Sequence, residues 1–148
     1  MFIGRYYHTL EVNKRLSLPK TFRDSTVEWV ITRGLDGGLF GFRAEEFTHR
    51  LRELSERTFT QESDRDFIRL MTNDAVQVTA DDNGRVQLPE YLITQAHLSK
   101  RVVVVGSFDW IEIWDADRYH HYLEQLEPQA EQIAESLTAQ DAHTSITE

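Results

Sequence analysis

Cysteine is absent from the 148 residues, which excludes disulfides, thiolate metal sites and cysteine nucleophiles together. Long apolar runs are absent as well, none approaching the roughly 18–20 residues that span a bilayer. The opening Met1-Phe2-Ile3-Gly4-Arg5-Tyr6-Tyr7 holds no apolar stretch long enough for a secretory signal, so a soluble cytoplasmic protein is expected. There is no Gly-x-Ser-x-Gly elbow for an acyl-transfer serine. Positive charge is the scarcer sign, 16 Lys+Arg against 25 Asp+Glu, a net of −9. Taken over the whole chain, that balance opposes polyanionic partners such as nucleic acid and anionic membrane.

What is present is enough for a real core: 40% hydrophobic and 11% aromatic residues in a chain the size of one ordinary domain. The charge is also uneven. Residues 1–27 carry Arg5, Lys14, Arg15, Lys20 and Arg23 against Glu11 and Asp24, a net of +3. Residues 115–148 carry Arg118 against eight acids, a net of −7. The head of the chain is positive and the tail negative.

The chain also repeats itself. Glu11-Val12-Asn13-Lys14-Arg15-Leu16-Ser17-Leu18-Pro19 recurs 70 residues later as Asp81-Asp82-Asn83-Gly84-Arg85-Val86-Gln87-Leu88-Pro89. Leu39, Phe42 and Phe47 match Ile111, Trp114 and Tyr119 at an offset of 72. Each copy reads as an acid, Asn, Arg and Leu-Pro unit, then an apolar run, an aromatic and a helix. In the second copy Val76–Thr79 alternates as a half-buried strand, Asn83-Gly84 offers a positive-φ turn, and Arg85–Leu88 alternates again, predicting a hairpin-like bend. Pro89 suits the first turn of a short helix. Val102–Val105 suits a strand buried on both faces, with Trp110–Trp114 returning beside it.

The first copy repeats the plan with Val30–Thr32, a turn over Asp36-Gly37-Gly38, and Leu39–Phe42. Helical spacing places Phe47, Leu51 and Leu54 on one face over 44–57, and Phe67, Leu70 and Met71 over 62–73. Residues 115–126 and a stripe of Ala130, Ile133 and Leu137 after Pro128 predict further helices, whereas 141–148 lack a pattern and are expected to be mobile. A 45-residue unit cannot bury both faces of its strands alone. Two units joined by a helical hairpin can pair strands across a pseudo-twofold axis, which predicts an α+β domain: one shared pseudo-twofold barrel with flanking helices.

Several apparent sites have plainer readings. Glu46 and His49 have the Glu-x-x-His spacing of carboxylate-bridged metal sites, but those need four facing helices. His120 and Glu124 leave zinc two ligands short. The glycine-rich 34–41 stretch lacks the Gly-Lys-Ser/Thr that would hold phosphate and magnesium, and reads as a β-turn. Gly106-Ser107, a dipeptide that some double-psi barrels cleave, has no helper groups and reads as a turn. Nothing supports an enzyme, a cofactor or a metal.

The acid-x-x-x-Arg spacing remains. Its acid can accept turn N–H groups and pair with Arg, fixing the bend. Around Arg15, however, Lys14, Lys20 and Arg23 exceed what one carboxylate neutralises. Cations on a rigid turn suit phosphate and base-edge contact. The two roles are compatible.

At these residues the sequence resembles the MraZ family of bacterial transcriptional regulators, built from two SpoVT-AbrB-like repeats. The resemblance spans roughly residues 1–126. The family's Asp-x-x-x-Arg motif is matched by Asp81 and Arg85, and by Glu11 and Arg15 with Leu16-Ser17-Leu18-Pro19 following. The stretch Val105–Trp114 is similar to the family's second-repeat strand pair, and the Met1-Phe2-x-Gly4 start also fits. Glu11 departs from the usual Asp, and Lys14 from the usual Gly, so the first loop is expected to bend differently.

The resemblance implies an AbrB-like repeat over 1–50, connecting helices over 51–75, a second repeat over 76–122 and an acidic C-terminal helix and tail over 123–148. It further implies a nucleoid-associated, cytoplasmic DNA-binding regulator. Such a protein forms ring-shaped homo-oligomers and acts on short direct repeats upstream of the division and cell-wall gene cluster. Arg15 carries over as the main DNA contact and Arg85 as its counterpart, with Glu11 and Asp81 as the motif acids; Lys14, Lys20 and Arg23 are added on charge. The alternative is an antitoxin-like protein-interaction module that grips its partner through the acidic tail.

Overall fold

The computed structural model describes residues 1–58 and 60–147, without the side chains of 57, 58 and 140–147. Two compact units are present, Met1–Ala116 and Asp117–Glu148.

The first unit is α+β. Its strands are β1 (Arg5–Thr9), β2 (Arg15–Ser17), β3 (Glu28–Arg33), β4 (Leu39–Arg43), β5 (Val76–Thr79), β6 (Arg85–Gln87), β7 (Arg101–Gly106) and β8 (Ile111–Asp115). Its helices are α1 (Lys20–Arg23), α2 (Ala44–Thr58), α3 (Glu62–Asn73) and α4 (Glu90–Gln95). Six strands form one antiparallel sheet in the order β1-β7-β8-β4-β3-β5, and β2 and β6 pair apart from it as a ribbon. Pro19 and Pro89 sit immediately before α1 and α4, where a missing N–H costs nothing.

This pairing corrects one local reading. Residues 81–85 do make a tight bend, closed by Asp81 N–H to Arg85 O at 2.9 Å and Gly84 N–H to Asp81 O at 2.9 Å. Yet β5 and β6 do not pair across it: β5 pairs with β3 and β6 with β2, both in the other repeat. The exchange is symmetric. Leu16 faces Val86 at the centre of the ribbon, and Phe40 faces Glu112 at the centre of the sheet. Each repeat therefore supplies the missing neighbours of the other.

One cluster joins ribbon and sheet. Leu16, Leu18, Val86 and Leu88 pack with Trp29, Ile31, Val102, Val104, Ile111 and Ile113, and Phe22 and Leu92 close it from the short helices. The run Val102–Val105 is buried on both faces, as its unbroken β-branching predicts. On the other face of β3, the hydroxyl of buried Thr32 donates to Met71 O of α3 at 2.7 Å. Helices α2 and α3 pack there, and Phe47, Leu51, Leu54, Phe67 and Met71 line one groove of about 780 Å³. Leu70 departs from the expected stripe and is 45% exposed, because the buried face of α3 runs through Phe67 and Met71.

Gly106 is required by close approach. A Cβ there would stand 2.4 Å from the backbone of Phe2 and Ile3. That segment is held by Phe2 N–H to Phe108 O at 2.8 Å and Gly106 N–H to Gly4 O at 2.8 Å, and the buried Phe2 ring meets Phe22 and Trp29. Gly106→Ala is expected to undock residues 1–4 and lose the Phe2 burial, about 1.5–3 kcal/mol in chemical denaturation. Adding Phe2→Ala should then cost little more, and full additivity of the two changes would contradict the account.

The second unit holds α5 (Ala116–Leu126, beginning at the last residue of the first unit), a one-turn 3-10 helix (Glu127–Gln129) and α6 (Ala130–Thr147). Ile133 and Leu137 are exposed on α6. The stretch 141–148 expected to be mobile lies, in its side chains, outside the described residues. Among the described residues no helix is long and apolar enough to cross a membrane.

Candidate nucleic-acid interface

The ribbon brings the two acid-x-x-x-Arg loops together. Leu88 donates its N–H to Lys14 O at 3.0 Å, and Leu18 donates to Gly84 O at 3.0 Å, the same bond made from each repeat to the other. The amide of Gln87 adds a bond to Asn13 O at 2.7 Å. Each loop is thus closed by its own backbone bonds and clamped in place by the partner repeat.

Within that frame the two loops differ. In the second, Asp81 Oδ1 accepts the N–H of Asn83 and of Arg85, both at 2.9 Å, and Oδ2 accepts Arg85 Nε at 3.2 Å. The Arg85 N–H, then the Asn83 N–H and the Arg85 guanidinium, hold this carboxyl below the ordinary aspartate range. In the first loop Glu11 is too long to fold back onto its own turn. Asn13 Oδ1 accepts the Arg15 N–H at 3.2 Å instead. The Glu11 carboxylate crosses to the other repeat and meets Arg85 Nη1 at 3.3 Å. Its second oxygen is buried with no hydrogen-bond partner among the described residues.

The first loop was expected to bend differently, and it does not. Lys14 adopts φ 66°, matching Gly84 at φ 76°, and the closing bonds are the same. The lysine takes the strain, of about 1–2 kcal/mol for a left-handed non-glycine residue, because the ribbon bonds on both sides fix the backbone. Its ammonium pairs with Glu90 Oε2 at 3.0 Å, with both side chains well exposed. Replacing Lys14 by glycine is expected to relieve that strain while adding about 0.5–1 kcal/mol of glycine entropy. The exposed ion pair it removes is worth no more than about 1 kcal/mol. Thermal stability should therefore hold to within a few degrees, and a large loss would contradict the assigned strain.

The five cations named from sequence meet different fates. Arg15 is exposed at the start of β2, and its guanidinium has no partner among the described residues. Lys20 is exposed on α1, likewise without a partner among the described residues. Arg85 is held by two carboxylates. Arg23 does not flank Arg15's loop; it lies over the other one. Its Nη1 donates to Asn83 O, and a Cβ at Gly84 would fall 2.0 Å from that nitrogen. Burial first, and then the Arg23 charge, push the His8 imidazole below its usual pKa. Sequence reading missed Asn13, Gln87 and Glu90. Only the cross-repeat register of β2 with β6 would have shown Gln87 and Glu90 beside the first loop; Asn13 stood in the repeated motif, but its role as acceptor of the Arg15 N–H did not.

The metal-like spacings have other partners. Glu46 accepts Arg50 Nε at 2.8 Å, and His49 stands 3.5 Å from Glu53. The glycine-rich stretch is a turn closed by Gly34 N–H to Gly38 O at 2.9 Å.

The sequence model of the family described as "MraZ protein, putative antitoxin-like" matches residues 1–70 and 71–142. The chain is also similar to the "Transcriptional regulator MraZ" of Ligilactobacillus salivarius (strain UCC118). The two are 36% identical over 138 residues, which cover 93% of this chain and 96% of that relative.

Proposed function

Because the chain belongs to the MraZ family, we propose that it is a sequence-specific DNA-binding transcriptional regulator with no catalytic role. One observation carries the reading: Arg15 stands exposed and uncommitted on a backbone clamped by the other repeat. A rigid, unpaired guanidinium is suited to bidentate contact with a guanine edge or a phosphate. Lys14 and Lys20 add positive charge for the DNA backbone; Arg23 of α1 lies over the adjoining loop, whose Arg85 is paired with Glu11 and Asp81, the acids that hold the loops. We also read sheet and ribbon as the walls of one pseudo-twofold barrel, with repeats over 1–50 and 76–122, helices over 51–75 and an acidic helix over 123–148.

The fuller reading is a nucleoid-associated, cytoplasmic protein assembled as a ring. Several weak loops would meet short direct repeats upstream of the division and cell-wall genes, and multivalency would supply the affinity. The test is a mobility-shift titration against DNA from upstream of the protein's own gene at several salt concentrations. Neutralising about four phosphates per engaged subunit predicts a log–log salt slope near −4 for each. A flat salt response would sink the DNA reading despite any retardation seen.

A further inference from the structure

We propose that Arg85 is a positioning residue that holds the first-repeat loop in place, and not a second DNA contact equivalent to Arg15. The inference rests on the DNA reading of Arg15 given above.

The two arginines occupy equivalent places in the repeat yet have opposite surroundings. Arg15 is exposed without a partner among the described residues, whereas the Arg85 side chain is 27% exposed and bonded through two of its guanidinium nitrogens. Its Nε meets Asp81 Oδ2 at 3.2 Å within its own loop, and its Nη1 meets Glu11 Oε1 at 3.3 Å in the other. The origin of the difference is the single methylene by which Glu11 exceeds an aspartate. An aspartate would close on its own loop, as Asp81 does; the glutamate reaches across the ribbon. Because Glu11 Oε2 is buried and unbonded, Arg85 is the one cation paired with this carboxylate among the described residues.

Arg85 thus ties Glu11, the residue that opens the Arg15 turn, to Asp81, the residue that opens its own. A guanidinium already neutralised by two carboxylates releases few counterions from a phosphate. Its removal would leave a half-buried carboxylate beside the DNA-facing loop.

The test uses the full chain and three variants, Arg15→Gln, Arg85→Gln and the pair Glu11→Gln with Arg85→Gln, titrated against the same promoter DNA at four salt concentrations. Arg15→Gln should weaken binding about tenfold or more, with a slope shallower by up to about 0.9 per engaged subunit, the share of one phosphate. Arg85→Gln alone should weaken binding about tenfold or more, by unpairing Glu11. The double variant removes one charge of each sign and keeps two amides able to bond across the ribbon. It should return to within about threefold of the unmodified chain, with an unchanged slope. The double variant also covers the case in which Arg85→Gln alone does not fold, since it leaves Glu11 uncharged. A double variant whose slope is shallower by about 0.9 per engaged subunit, and whose binding stays weak, overturns the proposal and makes Arg85 a direct contact. If the unmodified chain shows no salt-dependent retardation, the DNA reading itself fails and this inference falls with it.

Discussion

Arg15→Ala is expected to abolish retardation of promoter DNA while leaving the melting temperature and the oligomeric state of the protein unchanged. The two halves of that expectation have separate physical grounds. Position 15 is tied into the fold through its main chain: its N–H donates to Asn13 Oδ1, and its carbonyl accepts the Glu11 N–H at 3.0 Å. Its side chain is exposed and has no partner among the described residues, so truncation removes no packing and orphans no acid. Exposed substitutions of that kind change stability by about 0.5 kcal/mol or less.

Binding is a different matter. One bidentate guanidinium–base contact is worth about 1–3 kcal/mol. If several subunits of an assembly engage repeated sites together, that loss recurs in each, and two engaged loops already forfeit about 2–6 kcal/mol. That spans roughly thirtyfold to twenty-thousandfold in affinity. A mobility-shift titration paired with a thermal melt checks both halves. An Arg15→Ala protein that folds and still retards DNA like the unmodified chain removes Arg15 from the interface. Equal loss of binding and of folding would make it a structural residue.

Much of the fold was legible because it is written twice. The 70-residue offset between Glu11–Pro19 and Asp81–Pro89 located the loops, the ribbon strands and the prolines before both short helices. Helical spacing found α2 and α3 almost to their ends. What the pattern left open was partnership. Alternation at Val76–Thr79 and Arg85–Leu88 says that each run is a strand, but it does not say which strand lies beside it. The nearer pairing, across the Asn83-Gly84 bend, is the natural local choice. The structure prefers exchange because Val78 then meets Trp29 and Val86 meets Leu16, so both repeats feed one core.

The candidate site was legible in residue type and not in commitment. Sequence placed Lys20 and Arg23 around Arg15, since all three are near neighbours in the chain. Strand exchange instead carries α1 to the other loop, where Arg23 covers Gly84. Likewise, the expected change of bend at Lys14 assumed that local preference sets the turn. Two cross-repeat hydrogen bonds outweigh about 1–2 kcal/mol of backbone strain, and the lysine adopts the glycine conformation. The net charge of −9 was similarly uninformative: charges more than about 8 Å apart are largely screened at physiological salt, so the proposed interface would depend on the handful of groups at the two loops.

The exchange has a consequence larger than any point substitution. Residues 1–58 alone contain β1 to β4 with α1 and α2, yet they are not expected to fold as a monomer. Cutting there strips β1 of β7, β2 of β6, β3 of β5 and β4 of β8, leaving the β3–β4 hairpin as the one intact pairing. A lone two-stranded hairpin is marginal in water. Its would-be core residues Leu16, Leu18, Phe22 and Trp29 would face solvent where Val86, Leu88, Leu92 and Val102 stood.

The symmetry of the pairing gives those residues one remedy. A second copy of the same segment can supply a β2 where β6 lay, with Leu16 opposite Leu16 in place of Leu16 opposite Val86. The fragment should therefore be unfolded when dilute and gain β structure only as it dimerises. Circular dichroism and sedimentation velocity over a hundredfold range of concentration would follow both together. A cooperative thermal transition from a monomeric 1–58 fragment would show that one repeat buries enough by itself, and that the shared core is not what holds this fold together.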